Sequence, residues 1–260
     1  MTENQCSSLK KKLDLWYNKT SAASFIKQDP LQFPHRYAGR EDREITAFLA
    51  ATIAWGRRDL ILRSAERMFS LMGKSPYDYV MSSGCRKIGT KAIHRTFFEA
   101  DLRYFRKGFR FCYTKYRSLE ALFAAPLAGT KNDAADKKKA PDLWDSMALF
   151  RNEMAKANGG LYTKHIANPA SSACKRINLA LRWLVRPGPL DLGLWKSISP
   201  SFLFIPLDLH VGRVARSLGL LKRKSNDKKA VIELTERLKS LCPDDPAKYD
   251  LALFGMGVGA

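Results

Sequence analysis

The stretch Ile205-Pro-Leu-Asp-Leu-His-Val-Gly-Arg-Val-Ala-Arg-Ser-Leu-Gly-Leu220 decides how the rest of the chain is interpreted. After Asp208, an apolar residue recurs every three or four positions, which predicts an amphipathic helix. The inward face of that helix is formed by Val211, Val214, Ala215 and Leu218. Gly219 follows as a stop signal, and an aspartate at the start is a favourable N-cap. On local grounds alone, Asp208 is therefore predicted to cap a helix.

Helical spacing continues on both sides of this stretch. Apolar residues repeat with the same period after Asp42, after Asp59 and over residues 172–186. Residues 94–116 are rich in aromatic and basic side chains and predict two helices hinged near Gly108. Few segments alternate as strands do, so the sequence predicts an all-α fold.

Residues 124–142 have a different composition from their neighbours. They are mostly small or charged and contain few large apolar side chains. This composition predicts a flexible surface loop.

The charge of the chain points to a polyanionic partner. Lys and Arg number 45 against 25 Asp and Glu, which gives a net charge of +20 over 260 residues. Nucleic acid is the first candidate and an anionic membrane the second, whereas a solvated lysine-rich surface is the alternative without a partner. The basic residues are spread through segments that look folded, so they do not form a tail.

Other features exclude several classes of protein. No run of about 18 apolar residues is present, which argues against a membrane span. The segment MTENQCSSLKKK lacks the apolar core of a signal peptide, so we expect a cytoplasmic protein, associated with the nucleoid if it binds DNA. Five scattered cysteines without a CxxC pair argue against a disulfide framework, a zinc finger or an iron–sulfur loop, and they predict reduced, buried thiols. The sequence indicates no metal, no organic cofactor and no obligate protein partner.

Residues 205–220 resemble the signature (V/L)D-x-H-V-x-R-V-x-x-R-L-G-L of the helix-hairpin-helix DNA glycosylase superfamily, which includes endonuclease III and the 8-oxoguanine glycosylases. Residues 44–72 look like the early helix pair of that superfamily, and residues 249–257 look like its final helix. The whole chain is also similar to a small bacterial family of this length without an assigned activity. That second similarity lies in the segments FPHRY, HRTF, SACKR and RWLVR.

The resemblance implies a two-lobed helical fold with a glycosylase site. A helical barrel lobe would span residues 45–170, and residues 1–44 with 171–260 would form the second lobe. In the superfamily the motif aspartate faces a nucleotide flipped out of the duplex, and Asp208 holds that position here. A carboxylate there stabilises the positive charge that builds on the sugar.

Bifunctional members of the superfamily add a lysine that attacks C1′ and forms a Schiff base. Lys175 holds the corresponding place, and 208 − 175 gives a separation of 33 residues. This spacing is similar to that of the archaeal 8-oxoguanine glycosylase branch and favours an oxidised purine. A lysine at a helix start is otherwise a solvated or phosphate-binding charge.

The DNA-contacting parts depart from the superfamily pattern. Its hairpin is usually L-P-G-V-G, whereas residues 168–175 read NPASSACK without a glycine. The phosphate contact would then fall to the hydroxyls of Ser171 and Ser172, with Arg176 and Arg213 beside them. In the early loop, Arg57 and Arg58 would probe the duplex and fill the gap left by the flipped base.

The sequence therefore predicts a DNA base-excision glycosylase acting on double-stranded DNA, with or without AP-lyase activity. A non-catalytic module that binds DNA or RNA on the same fold is the alternative. A nuclease ranks lower, because the sequence shows no carboxylate cluster for a two-metal site.

Overall fold

A computed structural model describes residues 3–83, 89–128 and 142–259 of the chain. The predicted all-α class is confirmed, since the regular secondary structure of these residues is helical except for one two-stranded hairpin. The helices are α1 (Glu3–Thr20), α2 (Gln32–His35), α3 (Arg40–Thr52), α4 (Arg58–Met72), α5 (Pro76–Met81), α6 (Glu99–Tyr116), α7 (Leu119–Ala128), α8 (Leu143–Lys156), α9 (Lys175–Val185), α10 (Leu209–Ser217), α11 (Lys228–Lys239) and α12 (Tyr249–Val258). Strands β1 (Ala92–His94) and β2 (Phe97–Phe98) pair antiparallel, and short 3-10 helices lie at Ala23–Gln28, Pro200–Phe202 and Pro246–Lys248. None of the described helices combines the length and the apolar character needed to cross a lipid bilayer.

The chain divides into two compact units. Unit 1 comprises residues 1–27 and 169–260, and unit 2 comprises residues 28–168. The prediction had placed residues 28–44 with the second lobe and residues 169–170 with the barrel lobe, and the structure moves both boundaries. Within unit 2, α2 packs on α3, Arg36 pairs with Glu66 at 2.7 Å, and Asp42 accepts a hydrogen bond from the Tyr77 amide at 2.8 Å.

Unit 2 is built around a cluster of aromatic rings. Phe48 of α3 contacts the rings of Phe123 and Phe150 at centroid distances of 5.6 and 5.2 Å. Glu44, one turn earlier on α3, is fully buried and accepts hydrogen bonds from the Tyr113 hydroxyl at 2.8 Å and the Leu119 amide at 3.2 Å. Burial of a carboxylate is tolerated here because donors satisfy its oxygens.

Two predictions about unit 2 were wrong. Residues 99–116 form one continuous helix without a hinge at Gly108, and the β1–β2 hairpin precedes it. Gly108 instead permits close packing, because a Cβ there would lie 2.3 Å from the Met154 sulfur of α8. The predicted loop at 124–142 is also corrected in part: residues 124–128 belong to α7 and Asp142 caps α8, while residues 129–141 lie outside the described part of the chain.

Unit 1 packs α1 against α12 and α12 against α10. Its largest fully buried side chains include Trp183 and Trp195, each 1% exposed, together with Tyr249. The helices α1 and α12 approach closely at Gly255, where a Cβ would lie 2.1 Å from Thr20 Oγ1 and 3.2 Å from Thr20 Cβ. Position 255, in the middle of α12, therefore has room only for a glycine.

The substitution Gly255→Ala should lower the free energy of unfolding by about 1–3 kcal/mol, because the added methyl overpacks a core contact against a short, β-branched side chain. Thr20→Ala should restore much of that loss in the double variant, since it removes the atoms that clash. Urea unfolding of the wild type, both single variants and the double variant measures this coupling. Strictly additive effects of the two substitutions would contradict the proposed contact.

Candidate active site

Asp208 caps the N-terminus of α10, as predicted. Its backbone is extended (φ −114°), and its Oδ1 accepts a hydrogen bond from the Val211 amide at 2.8 Å. The cap uses this oxygen and leaves Oδ2 free of the helix amides. The next residue, Leu209, is 81% exposed, so an apolar side chain projects into solvent beside the carboxylate.

Lys175 is the first residue of α9. A turn at residues 169–171 leads into this helix, and Ser172 Oγ accepts a hydrogen bond from the Cys174 amide at 3.2 Å. Cys174 precedes the helix in a left-handed conformation (φ +47°), which is uncommon for a residue other than glycine. The glycine-free entry thus contains a backbone conformation of the kind that glycine favours, one residue before the lysine.

The two predicted catalytic residues meet at the ends of these helices. Lys175 Nζ lies 3.6 Å from Asp208 Oδ2, and their side chains are 32% and 17% exposed. A hydrogen bond or a proton transfer between them needs only a small movement, and solvent reaches both groups. The pair combines an amine and a carboxylate at one partly open position.

A second carboxylate lies behind this pair. Asp250, in the first turn of α12, is buried and forms an ion pair with Arg182 of α9. Burial raises the pKa of the Asp250 carboxyl from 3.8 to about 6, and the negative charge of Asp208 acts in the same direction. The positive charges of Arg182 and Lys175 oppose that shift. Asp250 therefore responds electrostatically to both members of the exposed pair.

A buried ionic network extends from Arg182 along α9. Asp191 accepts hydrogen bonds from Arg182 Nη2 at 3.2 Å and from Arg186 Nη1. Arg186 also donates to Asp245 through Nε at 2.8 Å and to the Tyr17 hydroxyl at 3.2 Å. The network connects α9 to α1, to the 187–192 loop and to the segment before α12, and so fixes the helix that carries Lys175.

The predicted DNA-binding residues of unit 1 are near Lys175 or Asp208 in the sequence, but they differ in exposure and in hydrogen bonding. Ser171 is exposed, and its carbonyl accepts a hydrogen bond from the Lys228 amide at 3.0 Å. Arg213 is exposed and donates to the Gly257 carbonyl at 2.7 Å. Arg176 is half-buried, and burial lowers the pKa of its guanidinium. The Ser172 hydroxyl accepts a local hydrogen bond and keeps its proton to donate elsewhere.

Arg57 and Arg58 belong to unit 2, whereas Lys175 and Asp208 belong to unit 1. Arg57 precedes α4, and its side chain is 76% exposed and pairs with Asp59 at 3.0 Å. Arg58 is half-buried as the first residue of α4. Their proposed role as a DNA probe stays a prediction.

Two residues near the pair were not found by sequence analysis. Asn226 donates from Nδ2 to the Asp208 carbonyl at 3.0 Å, and Asp250 lies behind the pair. The signal for Asp250 was a carboxylate in the apolar segment YDLALF, because a charge in such a segment needs a buried partner. Asn226 carried no comparable signal, since asparagine in a polar segment is typical of turns.

Within the described ranges, no group of three or more His, Cys, Asp and Glu side chains could hold a metal ion. Cys112 and Cys174 are buried free thiols as predicted, whereas Cys6 and Cys242 are only half-buried, and Cys85 lies outside the described residues. Burial raises the pKa of the Cys112 thiol to about 12, so this thiol is unreactive.

A family model described as "Protein of unknown function (DUF2400)" matches residues 29–259. The chain belongs to this family. The matched range contains Lys175, Asp208, Asn226 and Asp250, so the whole candidate site lies within the family region. No curated protein and no solved structure matches the chain.

Replacement of Asp208 should separate its structural role from its chemical role. Asp208→Ala should lower the free energy of unfolding by about 1 kcal/mol, because the Val211 amide loses its cap. Asp208→Asn should stay close to the wild type, since an asparagine oxygen caps equally well. Urea unfolding measures both values, and an equal loss in the two variants would contradict the capping role.

Asp250 should make the free energy of unfolding depend on pH. Because its pKa is higher in the folded protein than in the unfolded chain, its stabilising contribution is complete below about pH 4 and is lost as the pH rises to about 6. The free energy of unfolding of the wild type, relative to Asp250→Asn, should therefore fall over this interval.

Chemical denaturation at four pH values between 4 and 7 measures this difference. In an Asp208→Asn background the interval should move to lower pH, because one cause of the raised pKa is removed. A relative stability that rises with pH, as for a carboxylate with a lowered pKa, would contradict the assignment.

Proposed function

We propose that this protein is a DNA glycosylase that flips a damaged base out of the duplex and cleaves its N-glycosidic bond, with Lys175 adding AP-lyase activity. One observation carries the proposal. The lysine and the aspartate predicted from separate motifs lie 3.6 Å apart at the N-termini of two helices, and both side chains remain partly exposed.

Asp208 would act on the sugar. Cleavage of the glycosidic bond builds positive charge on the deoxyribose, and a fixed carboxylate stabilises that charge. The cap on α10 limits the motion of Asp208, because Oδ1 is held by the Val211 amide while Oδ2 faces Lys175. A carboxylate held in this way loses little entropy when the sugar arrives.

Lys175 would act as the nucleophile. Its neutral amine attacks C1′, the bond to the base breaks, and the base leaves with the bonding electrons and takes up a proton. Asp208 Oδ2 is close enough to accept the proton that the attacking nitrogen loses. The C1′–O4′ bond then breaks, O4′ leaves with the bonding electrons and takes up the proton held by Asp208, and the nitrogen lone pair forms the Schiff base, which borohydride reduces to a stable amine.

The surroundings of the pair suit a nucleotide. Leu209 offers an exposed apolar surface beside the carboxylate, and the net charge of +20 favours a polyanion. The spacing of 33 residues between Lys175 and Asp208 favours an oxidised purine as the base removed.

The test is borohydride trapping on duplexes that contain 8-oxoguanine or an abasic site, together with measurement of the released base. The wild type should form a covalent adduct, and Lys175→Ala should form none. Lys11→Ala, which removes an exposed lysine of α1, is the matched control and should trap like the wild type. Asp208→Asn should slow base release by about 10²–10³-fold, because a charge that stabilises the transition state is lost.

The other outcomes separate the alternatives. Base release without an adduct, abolished in Asp208→Asn, would indicate a glycosylase without lyase activity. DNA binding that survives both substitutions, with no base released from a panel of oxidised, deaminated and alkylated duplexes, would contradict the proposal and favour a non-catalytic binding module.

A further inference from the structure

The segment that joins α10 to α11 is strongly basic, and the first two residues of α11 continue it. Residues 222–229, read KRKSNDKK, form what we call the basic loop, with five Lys or Arg residues and one Asp. Arg223 is neutralised by Asp227, to which its Nε donates at 2.7 Å, and Glu233 accepts a hydrogen bond from the Lys222 amide. Three exposed lysines provide the charge that the loop presents to solvent: Lys222, Lys224 and Lys229.

The basic loop is fastened to the helix that Asp208 caps. Asn226 donates to the Asp208 carbonyl at 3.0 Å and accepts from Arg216 Nη2 at 2.6 Å. Arg216 also donates from Nε to the Arg223 carbonyl at 2.8 Å. The side chain of Asn226 sits against Gly212 of α10, where a Cβ would lie 2.8 Å from Asn226 Oδ1. Its amide is therefore used at both ends and has little freedom to move.

The loop is also fastened to the entry of α9. Asp227 forms an isolated antiparallel bridge with Ser172, and the Lys228 amide donates to the Ser171 carbonyl at 3.0 Å. Ser172 is three residues before Lys175. The same short loop thus holds the segment leading to the lysine and the backbone of the aspartate, so the backbone that carries its lysines has a fixed position relative to the pair.

We propose that the basic loop binds the phosphate backbone of the nucleic acid whose sugar enters the Lys175–Asp208 pair. This inference rests on the proposed function of that pair and adds a contact surface to it. Exposed ammonium groups interact with phosphates as point charges, and each such contact displaces condensed counterions. A membrane surface fits less well, because the loop contains no apolar residue that could enter the interface of a bilayer.

The test compares two triple variants with the same change in charge. The loop variant carries Lys222→Gln, Lys224→Gln and Lys229→Gln. The control variant carries Lys11→Gln, Lys12→Gln and Lys19→Gln, which remove three exposed lysines of α1. Fluorescence anisotropy with a duplex containing a tetrahydrofuran abasic-site analogue gives the affinity between about 50 and 300 mM salt, a range in which phosphate contacts are strongly salt-dependent.

The slope of log K against log salt should become shallower in the loop variant by about 0.9 for each lost phosphate contact, and thus by about 1–3 in total. The control variant should keep the slope of the wild type within a few tenths. Equal slopes in the two variants, at equal unfolding midpoints, would overturn the inference. So would a loop variant that loses binding only to vesicles containing phosphatidylserine.

Binding is measured without any base release, which separates this inference from the proposed function. If the salt dependence falls only in the loop variant and the protein releases no base, phosphate binding by the basic loop is supported and the proposed glycosylase activity is contradicted. Normal base release together with an unchanged slope in the loop variant would overturn only the proposed role of the basic loop. Absence of any binding to the duplex would overturn both.

Discussion

Two buried arginines on one helix hold unit 1 together. Arg182 lies in the last turn of α9 and Arg186 directly follows the helix, and their charges are balanced by Asp191, Asp245 and Asp250 from separate segments. Removing one partner from such a network leaves an uncompensated buried charge and costs about 3–5 kcal/mol. The network fixes the direction of α9, because its partners lie in the following loop, beside α12 and on α1. Because the direction of α9 is fixed, the position of Lys175 at the other end of the helix is fixed as well.

The position of Lys175 matters because it places the amine close to the carboxylate of Asp208, which also caps α10. Asp208 uses one oxygen to cap α10 and turns the other toward Lys175, so the same side chain combines an observed structural role with the chemical role that we propose for it. The basic loop closes the arrangement by holding the backbone of Asp208 through Asn226 and the entry of α9 through Asp227. Asp250 adds a buried charge whose protonation is sensitive to the exposed pair. The residues that fix the pair and the basic loop, which we propose to bind DNA, therefore lie in one unit.

Residues that act through local spacing could be predicted from the sequence. The helix after Asp208 and the helix after Ser172 follow from their apolar periods, and the Asp208 cap follows from its place before such a period. Gly108 was misinterpreted as a hinge because its role depends on Met154, which is 46 positions away in the chain. The β1–β2 hairpin was missed because five residues of β structure give almost no periodic signal. Asn226 and Asp250 were missed for the same physical reason as Gly108, since each is defined by partners distant in sequence.

The most direct test of the central claim is a crystal structure of the protein with a duplex that contains a tetrahydrofuran abasic-site analogue. We expect the analogue to be rotated out of the duplex, with its C1′ carbon within about 3.5 Å of Lys175 Nζ and beside Asp208 Oδ2, as a near-attack geometry requires. The analogue stacked inside the duplex, or bound at a surface away from these two side chains, would contradict the assignment of the pair as a glycosylase site.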